Sequence, residues 1–177
     1  NYRLGYLYET VLRNPRLAVQ KYNQSLEHIP ANDKAFTAIE RILREQKDWE
    51  ALEYNYRIMI VRSKELPVSR RVELWRKLAE LYHHYLEQPE NGVMAYEVIE
   101  SLEPGRPDDY AMLTELYAQN PETRDKAIGR LHAVLPKQEK PMGIIRQLLE
   151  LYEKNEDWDA VFVLSEIIGF SEGLDES

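Results

Sequence analysis

The chain has 177 residues, no cysteine and a formal net charge of −8, with 44% hydrophobic and 31% charged residues. That profile belongs to a chain able to bury a core, and it excludes disulfides, thiolate metal sites and thiol nucleophiles. The acidic balance disfavours nucleic acids and anionic membrane surfaces, which recruit Lys and Arg, and no apolar run approaches the roughly 20 residues that span a bilayer.

Along the chain, apolar residues recur at three- and four-residue intervals, as in Leu74, Leu78, Leu81, Tyr82 and Tyr85. That is the helical period, and no stretch alternates as a strand would. The pattern predicts ten helices, at about 2–13, 16–29, 33–46, 48–65, 70–87, 90–102, 108–119, 122–135, 141–154 and 156–168. The first opens at Asn1-Tyr2-Arg3-Leu4, in mid-pattern and without an initiator Met or signal peptide, so the sequence reads as a piece of a longer chain. The compartment is unmarked, and the absence of a signal or spanning segment in this stretch slightly favours the cytoplasm. Proline, tolerated in a first helical turn but not in a helix interior, punctuates the rest. Pro15, Pro89 and Pro121 fall between paired helices, while Pro30, Pro67, Pro104 and Pro136 fall between pairs. Near the C-terminus Gly169 reads as a helix stop, which leaves Phe170 and the polar tail 171–177 outside the last helix without a capping helix.

The pairs are self-similar. Leu-x-Glu-Leu-Tyr occurs at Leu78 to Tyr82, Leu113 to Tyr117 and Leu148 to Tyr152, at intervals of 35 residues, with looser relatives ending at Tyr8 and Leu43. The anchors are therefore Tyr8, Leu43, Tyr82, Tyr117 and Tyr152. Only the second interval is irregular, at 39 residues; four extra residues fit near Glu65 to Ser69 as longer helices or a longer turn. Residues 1–43 laid on 75–117 match at Leu4/Leu78, Leu7/Leu81, Tyr8/Tyr82, Leu12/Leu86, Pro15/Pro89, Val19/Val93, Tyr22/Tyr96 and Pro30/Pro104. Asp48-Trp49-Glu50-Ala51 and Asp157-Trp158-Asp159-Ala160 follow their anchors at the same offset.

Each unit resembles a tetratricopeptide repeat. The first helix of that repeat carries a large apolar residue, a Leu, a small residue and an aromatic; its second carries small, large and small residues before a Pro. The third unit supplies Trp75, Leu78, Ala79 and Tyr82, then Gly92, Tyr96, Ile99 and Pro104, and the first supplies Leu4, Gly5 and Tyr8, then Ala18, Tyr22, Ser25 and Pro30. Glu40, Thr114 and Leu149 depart from the small-residue position, where their bulk should part the two helices slightly. The resemblance implies an all-α fold, an α-solenoid with right-handed superhelical twist, of about five units at about 1–31, 32–67, 68–106, 107–138 and 139–170 in one domain. Trp49, Trp75 and Trp158 recur with the units and read as core packing.

Catalytic chemistry finds no foothold, and no enzyme activity, cofactor or metal is expected. Adjacent His83 and His84 point roughly 100° apart on a helix and cannot share a metal, while His28 and His132 lie on other helices. The carboxylates read as solvated helix faces, and the seven glycines form no phosphate-cradling loop.

The resemblance directs attention to the first helix of each pair, which in the family lines the inner surface where ligands lie. Two residues before the anchors stand Tyr6, Arg41, Glu80, Glu115 and Glu150; the same face should hold Tyr2, Thr37, Arg76, Arg146, Glu9, Arg44 and His83. Family members that bind chaperone tails grip a terminal carboxylate with Asn, Lys or Arg there, and Glu80, Glu115 and Glu150 have the wrong sign. The expected partner is therefore a protein or peptide segment, basic or mixed in charge, with apolar contact near Tyr2 and Tyr6. The bland reading is that Arg76 and Glu80 form an i, i+4 pair on a wet face. Three roles stay open: an interaction scaffold, a structural segment that self-associates through uncapped ends, or a regulatory repeat region of a larger enzyme or RNA-processing assembly.

Overall fold

The computed structural model describes residues 1–175, with side chains through Ser171; the last two residues of the polar tail lie outside the described residues. Among the described residues ten α-helices follow one another: α1 (Tyr2–Thr10), α2 (Pro15–His28), α3 (Asp33–Gln46), α4 (Trp49–Arg62), α5 (Val68–His84), α6 (Pro89–Leu102), α7 (Pro107–Gln119), α8 (Arg124–Val134), α9 (Met142–Lys154) and α10 (Trp158–Asp175). Short 3-10 turns follow α4 at Ser63–Glu65 and α8 at Leu135–Lys137.

Local chemistry accounts for the helix starts. The side chains of Asn14, Asn32 and Asp48 accept from the backbone N–H groups of Leu17, Ala35 and Ala51 at 3.0, 3.3 and 3.1 Å. These are N-caps that satisfy donors a helix leaves unpaired. Asp157 accepts from Ala160 N–H at 3.2 Å in the same way, which explains why the Asp-Trp-acid-Ala string recurs. Pro15, Pro89 and Pro107 stand at the first helical position, where a missing N–H costs nothing.

The turns inside four pairs share a less expected feature. Arg13, Lys47, Glu87 and Glu156 adopt left-handed backbone, with φ of 48°, 54°, 53° and 58°. Because the chain turns over at Arg13, α1 ends at Thr10 and not near residue 13. The fourth pair carries Pro121 in its turn, and proline's ring forbids that conformation. There Thr123 Oγ1 donates to the carbonyl of Tyr117 at 3.0 Å instead.

The four extra residues have a clear location. Asp33, Pro107 and Met142 open their helices ten residues before Leu43, Tyr117 and Tyr152, whereas Val68 stands fourteen before Tyr82. The insertion is thus one additional turn at the start of α5, beside the 3-10 turn that ends the predicted 48–65 helix early. Gly169 corrects a sequence expectation, since α10 runs through it to Asp175. Glycine inside a helix costs about 1 kcal/mol against alanine, and nothing lies near its Cβ position. With neither a left-handed φ nor a close neighbour there, the helix has no cause to stop.

The chain divides into two compact units, Asn1–Asp109 and Tyr110–Ser177. Unit 1 holds α1 to α6 and the first turn of α7. Its core gathers Tyr22, Leu26, Phe36, Ile39, Leu52, Tyr56, Met59, Leu74, Leu78 and Leu81, all buried. Each such side chain contributes about 1.5–3 kcal/mol relative to exposure. Gly5 is buried under the ring of Tyr22, so close that a Cβ would lie 2.6 Å from Cδ1. Unit 2 buries Leu113, Leu116, Tyr117, Ala127, Leu131, Ile145, Leu148 and Leu151.

Trp158 is a second correction. Trp49 is covered by Tyr85, their rings stacked at 4.1 Å, but Trp158, at the matching position of α10, is 63% exposed. The covering ring comes from the following repeat, and among the described residues no ring stacks on Trp158.

Candidate functional site

Two of the three bulky residues at the small-residue position, Glu40 and Thr114, make bonds with neighbouring helices. Glu40, buried on α3, accepts a short hydrogen bond from the Tyr56 hydroxyl on α4 and holds the Lys77 ammonium of α5 at 3.0 Å. Burial, then the bond to this carboxylate, pushes the Tyr56 phenol above its usual range. Thr114 on α7 accepts from Arg130 Nε of α8 at 2.8 Å and donates to the Tyr110 carbonyl at 2.7 Å, while the guanidinium lies 3.7 Å from the centre of the Tyr110 ring.

On the predicted binding face of unit 1, most of the cations are already engaged. Arg41 forms a short ion pair with Glu9 and reaches Glu45 at 3.3 Å. Glu9 also accepts from the Tyr22 hydroxyl at 2.5 Å. Arg44, half-buried, donates to the Tyr56 hydroxyl at 3.4 Å. Arg76 is held by Asp109 at 2.6 Å and Glu103 at 2.8 Å, with Asp109 itself buried. Those bonds, first to Asp109, outweigh burial and raise the Arg76 guanidinium above the ordinary arginine value. Arg76 thus bonds to α7 and the turn before it.

Other groups of that face are open to solvent. Tyr6 is 57% exposed, and Thr37 and Glu80 are exposed on α3 and α5. Tyr2 is half-buried and packs its ring 5.5 Å from that of Tyr22; His83 is half-buried with its ring 4.6 Å from His84. In unit 2, Glu115 on α7 and Arg146 and Glu150 on α9 are exposed. Among the described residues no group of three or more His, Asp or Glu could hold a metal ion, and no helix is long and apolar enough to cross a membrane.

A cleft of about 510 Å³ lies elsewhere in unit 1. Glu50, Glu53 and Arg57 of α4 form one wall, Met94 and Ala95 of α6 the other, and Trp75, Leu78 and Tyr82 of α5 the floor. On α5 this floor lies roughly 80° or more around the helix from Arg76, Glu80 and His83, so the cleft is not the predicted face. Tyr82 hydroxyl donates to Glu53 Oε1 at 2.6 Å, and burial followed by that bond raises the phenol's pKa. The sequence signal for this site was the spacing of Glu50, Glu53 and Arg57, three and seven residues apart on one helical stripe. It was missed because Trp75 and Tyr82 already had a role as repeat-motif core residues.

No known protein-family profile matches the sequence, and no curated protein matches it. Solved structures do. One is YrrB, a tetratricopeptide repeat protein with an unusual peptide-binding site, at 14% identity and TM-score 0.56, covering 92% of this chain and 80% of that one. Another is a kinesin-light-chain-type protein of Podosopora anserina with nearly identical tetratricopeptide-like repeats, at 15% identity and TM-score 0.57, covering 99% of this chain and 95% of that one. Paired helices, anchor residues at repeat intervals and these two likenesses agree: the chain has the tetratricopeptide-repeat fold.

Proposed function

We propose that the protein is a non-catalytic interaction scaffold whose first-helix faces receive a basic or mixed-charge segment of a protein partner. One observation supports this most: in unit 1, Arg41 and Arg76 are each paired with carboxylates of the chain itself, while Glu80 and Tyr6 are left exposed. A clamp for a terminal carboxylate needs free cations, because a charge already paired offers little to a second anion. An exposed Glu suits Lys or Arg by ion pairing, and an exposed Tyr ring at the same repeat position of another pair offers a cation its ring face. In unit 2, Glu115 and Glu150 offer the same sign at the same repeat position. YrrB, which shares the fold, binds peptide, consistent with a peptide as the ligand class.

Basic and acidic peptides titrated against the wild type and a Glu80→Gln/Glu115→Gln/Glu150→Gln variant test the reading. Basic peptides should bind the wild type and lose about tenfold in affinity to the variant; equal binding of both peptides, or no loss in the variant, ends it.

A second reading, a structural segment that associates with other copies, is favoured by the exposed apolar side chains Phe162, Val163, Ile167 and Phe170 on α10. Sedimentation across a concentration series separates the two, since a strict monomer removes the second.

A further inference from the structure

We propose that the cleft between α4 and α6 is a second docking site, which takes a short peptide segment carrying a Lys or Arg side chain next to an apolar one. It does not depend on the first-helix face, and three observations carry it. Its volume, about 510 Å³, falls within the range of clefts that bind ligands and is large enough for two or three side chains.

Its chemistry is also divided. Trp75, Leu78, Ala95 and Met94, 56% exposed at the rim, make floor and far wall largely apolar, while Asn91 and Gln88, hydrogen-bonded to each other at 2.7 Å, add a polar edge at the start of α6. The near wall carries the carboxylates of Glu50 and Glu53 against the single cation Arg57. An apolar side chain would displace water from the floor, and a cation would find two carboxylates and the half-buried Trp75 ring within one cleft.

Finally, Glu53 is held but not saturated. The Tyr82 hydroxyl at 2.6 Å and Arg57 at 3.5 Å both approach Oε1. Oε2 keeps its acceptor capacity for an incoming ammonium or guanidinium. Arg57 is the loose member: its side chain is largely exposed and its contact long, so a better-placed cation can displace it. The Tyr82 bond fixes the carboxylate beforehand, and such preorganisation limits the ordering that binding requires.

The probe is a capped heptapeptide of alternating Lys and Leu, compared with its counterpart bearing Glu in place of Lys. Titration is followed by NMR at the indole N–H of Trp75 and the methyl of Met94. Both signals should move with the Lys peptide, saturating with a Kd of about 1 mM or tighter. The Glu50→Gln/Glu53→Gln variant should weaken binding about tenfold, and Met94→Arg, at an exposed rim position, should abolish the shift of the Trp75 indole N–H. Glu80→Gln should leave both shifts unchanged, which keeps failure here distinct from failure of the first-helix face. A Trp75 shift that survives Met94→Arg, equal binding of the Glu peptide, or still signals at about 10 mM Lys peptide would each overturn the proposal.

Discussion

The two units meet the same demand of the repeat, close approach of paired helices three residues before each anchor, in different ways. Unit 1 places Gly5 under the Tyr22 ring and lets Glu40 reach Tyr56 of its own pair and Lys77 of the next. It adds charged bridges between successive pairs, such as Arg41 to Glu9 and Arg70 to Asp33 at 2.7 Å. In unit 2, Thr114 works through Arg130 inside a single pair. Its pairs are joined at exposed positions, where Arg124 donates to the Lys154 carbonyl at 2.9 Å, Asn155 donates to Asp125 at 3.0 Å and His132 Nε2 lies 2.9 Å from the Tyr152 hydroxyl. The repeat position therefore prescribes nearness, while the side chain there decides whether the contact stays within a hairpin or ties hairpins together.

That comparison can be broken most forcefully in the core. Phe36 is fully buried in unit 1 with its ring 5.6 Å from that of Tyr56. Phe36→Ala should cost about 3–5 kcal/mol, read as a lower urea midpoint of Trp49 and Trp75 fluorescence. Glu40→Ala comes next. It strands the Tyr56 hydroxyl and the Lys77 ammonium, and should cost about 2–3 kcal/mol in the same assay; Glu40→Gln should cost less. A loss below about 0.5 kcal/mol for Glu40→Ala would show that unit 1 is not tied together by its buried carboxylate. Thr114→Val should cost about 1 kcal/mol, and hydrogen exchange should show the loosening in α7 and α8 more than in α9. Spread evenly through unit 2, the loosening would erase the contrast drawn here.

The subtlest effect concerns pH. Burial first, and then the bond to Glu40, raises the Tyr56 phenol above the ordinary value of 10.0, so folding favours the protonated form. Its contribution is complete below pH 10.0 and is lost as pH rises through the higher folded value. Alkaline titration of unfolding should therefore be less steep for Tyr56→Phe than for wild type.

Much of this fold could be read from the amino-acid order alone. The anchors and Pro15, Pro30, Pro67, Pro89 and Pro104 encode pairing directly, because an apolar stripe and a missing N–H act locally. The extra turn of α5 was legible as an irregular interval. Gly169 misled because a glycine stops a helix only where a left-handed turn is required, and that depends on what the chain does next. Trp158 misled because the same residue at the same offset is covered or bare according to its neighbour. The charge of the candidate face was readable residue by residue. Its pairing was not, since Arg76 meets Asp109 only after the intervening helix has folded back.

The left-handed turns carry one more consequence. Arg13, Lys47, Glu87 and Glu156 occupy a backbone region that glycine enters freely and long side chains resist. An isolated hairpin would lose little by abandoning such a bend, so the bends are set by packing between helices and not by the loops themselves. A single excised helix pair of this protein should therefore be unstructured in water, and order should arrive only when neighbouring pairs meet. Glycine at Lys47 or Glu87 offers a simple route to a sturdier variant.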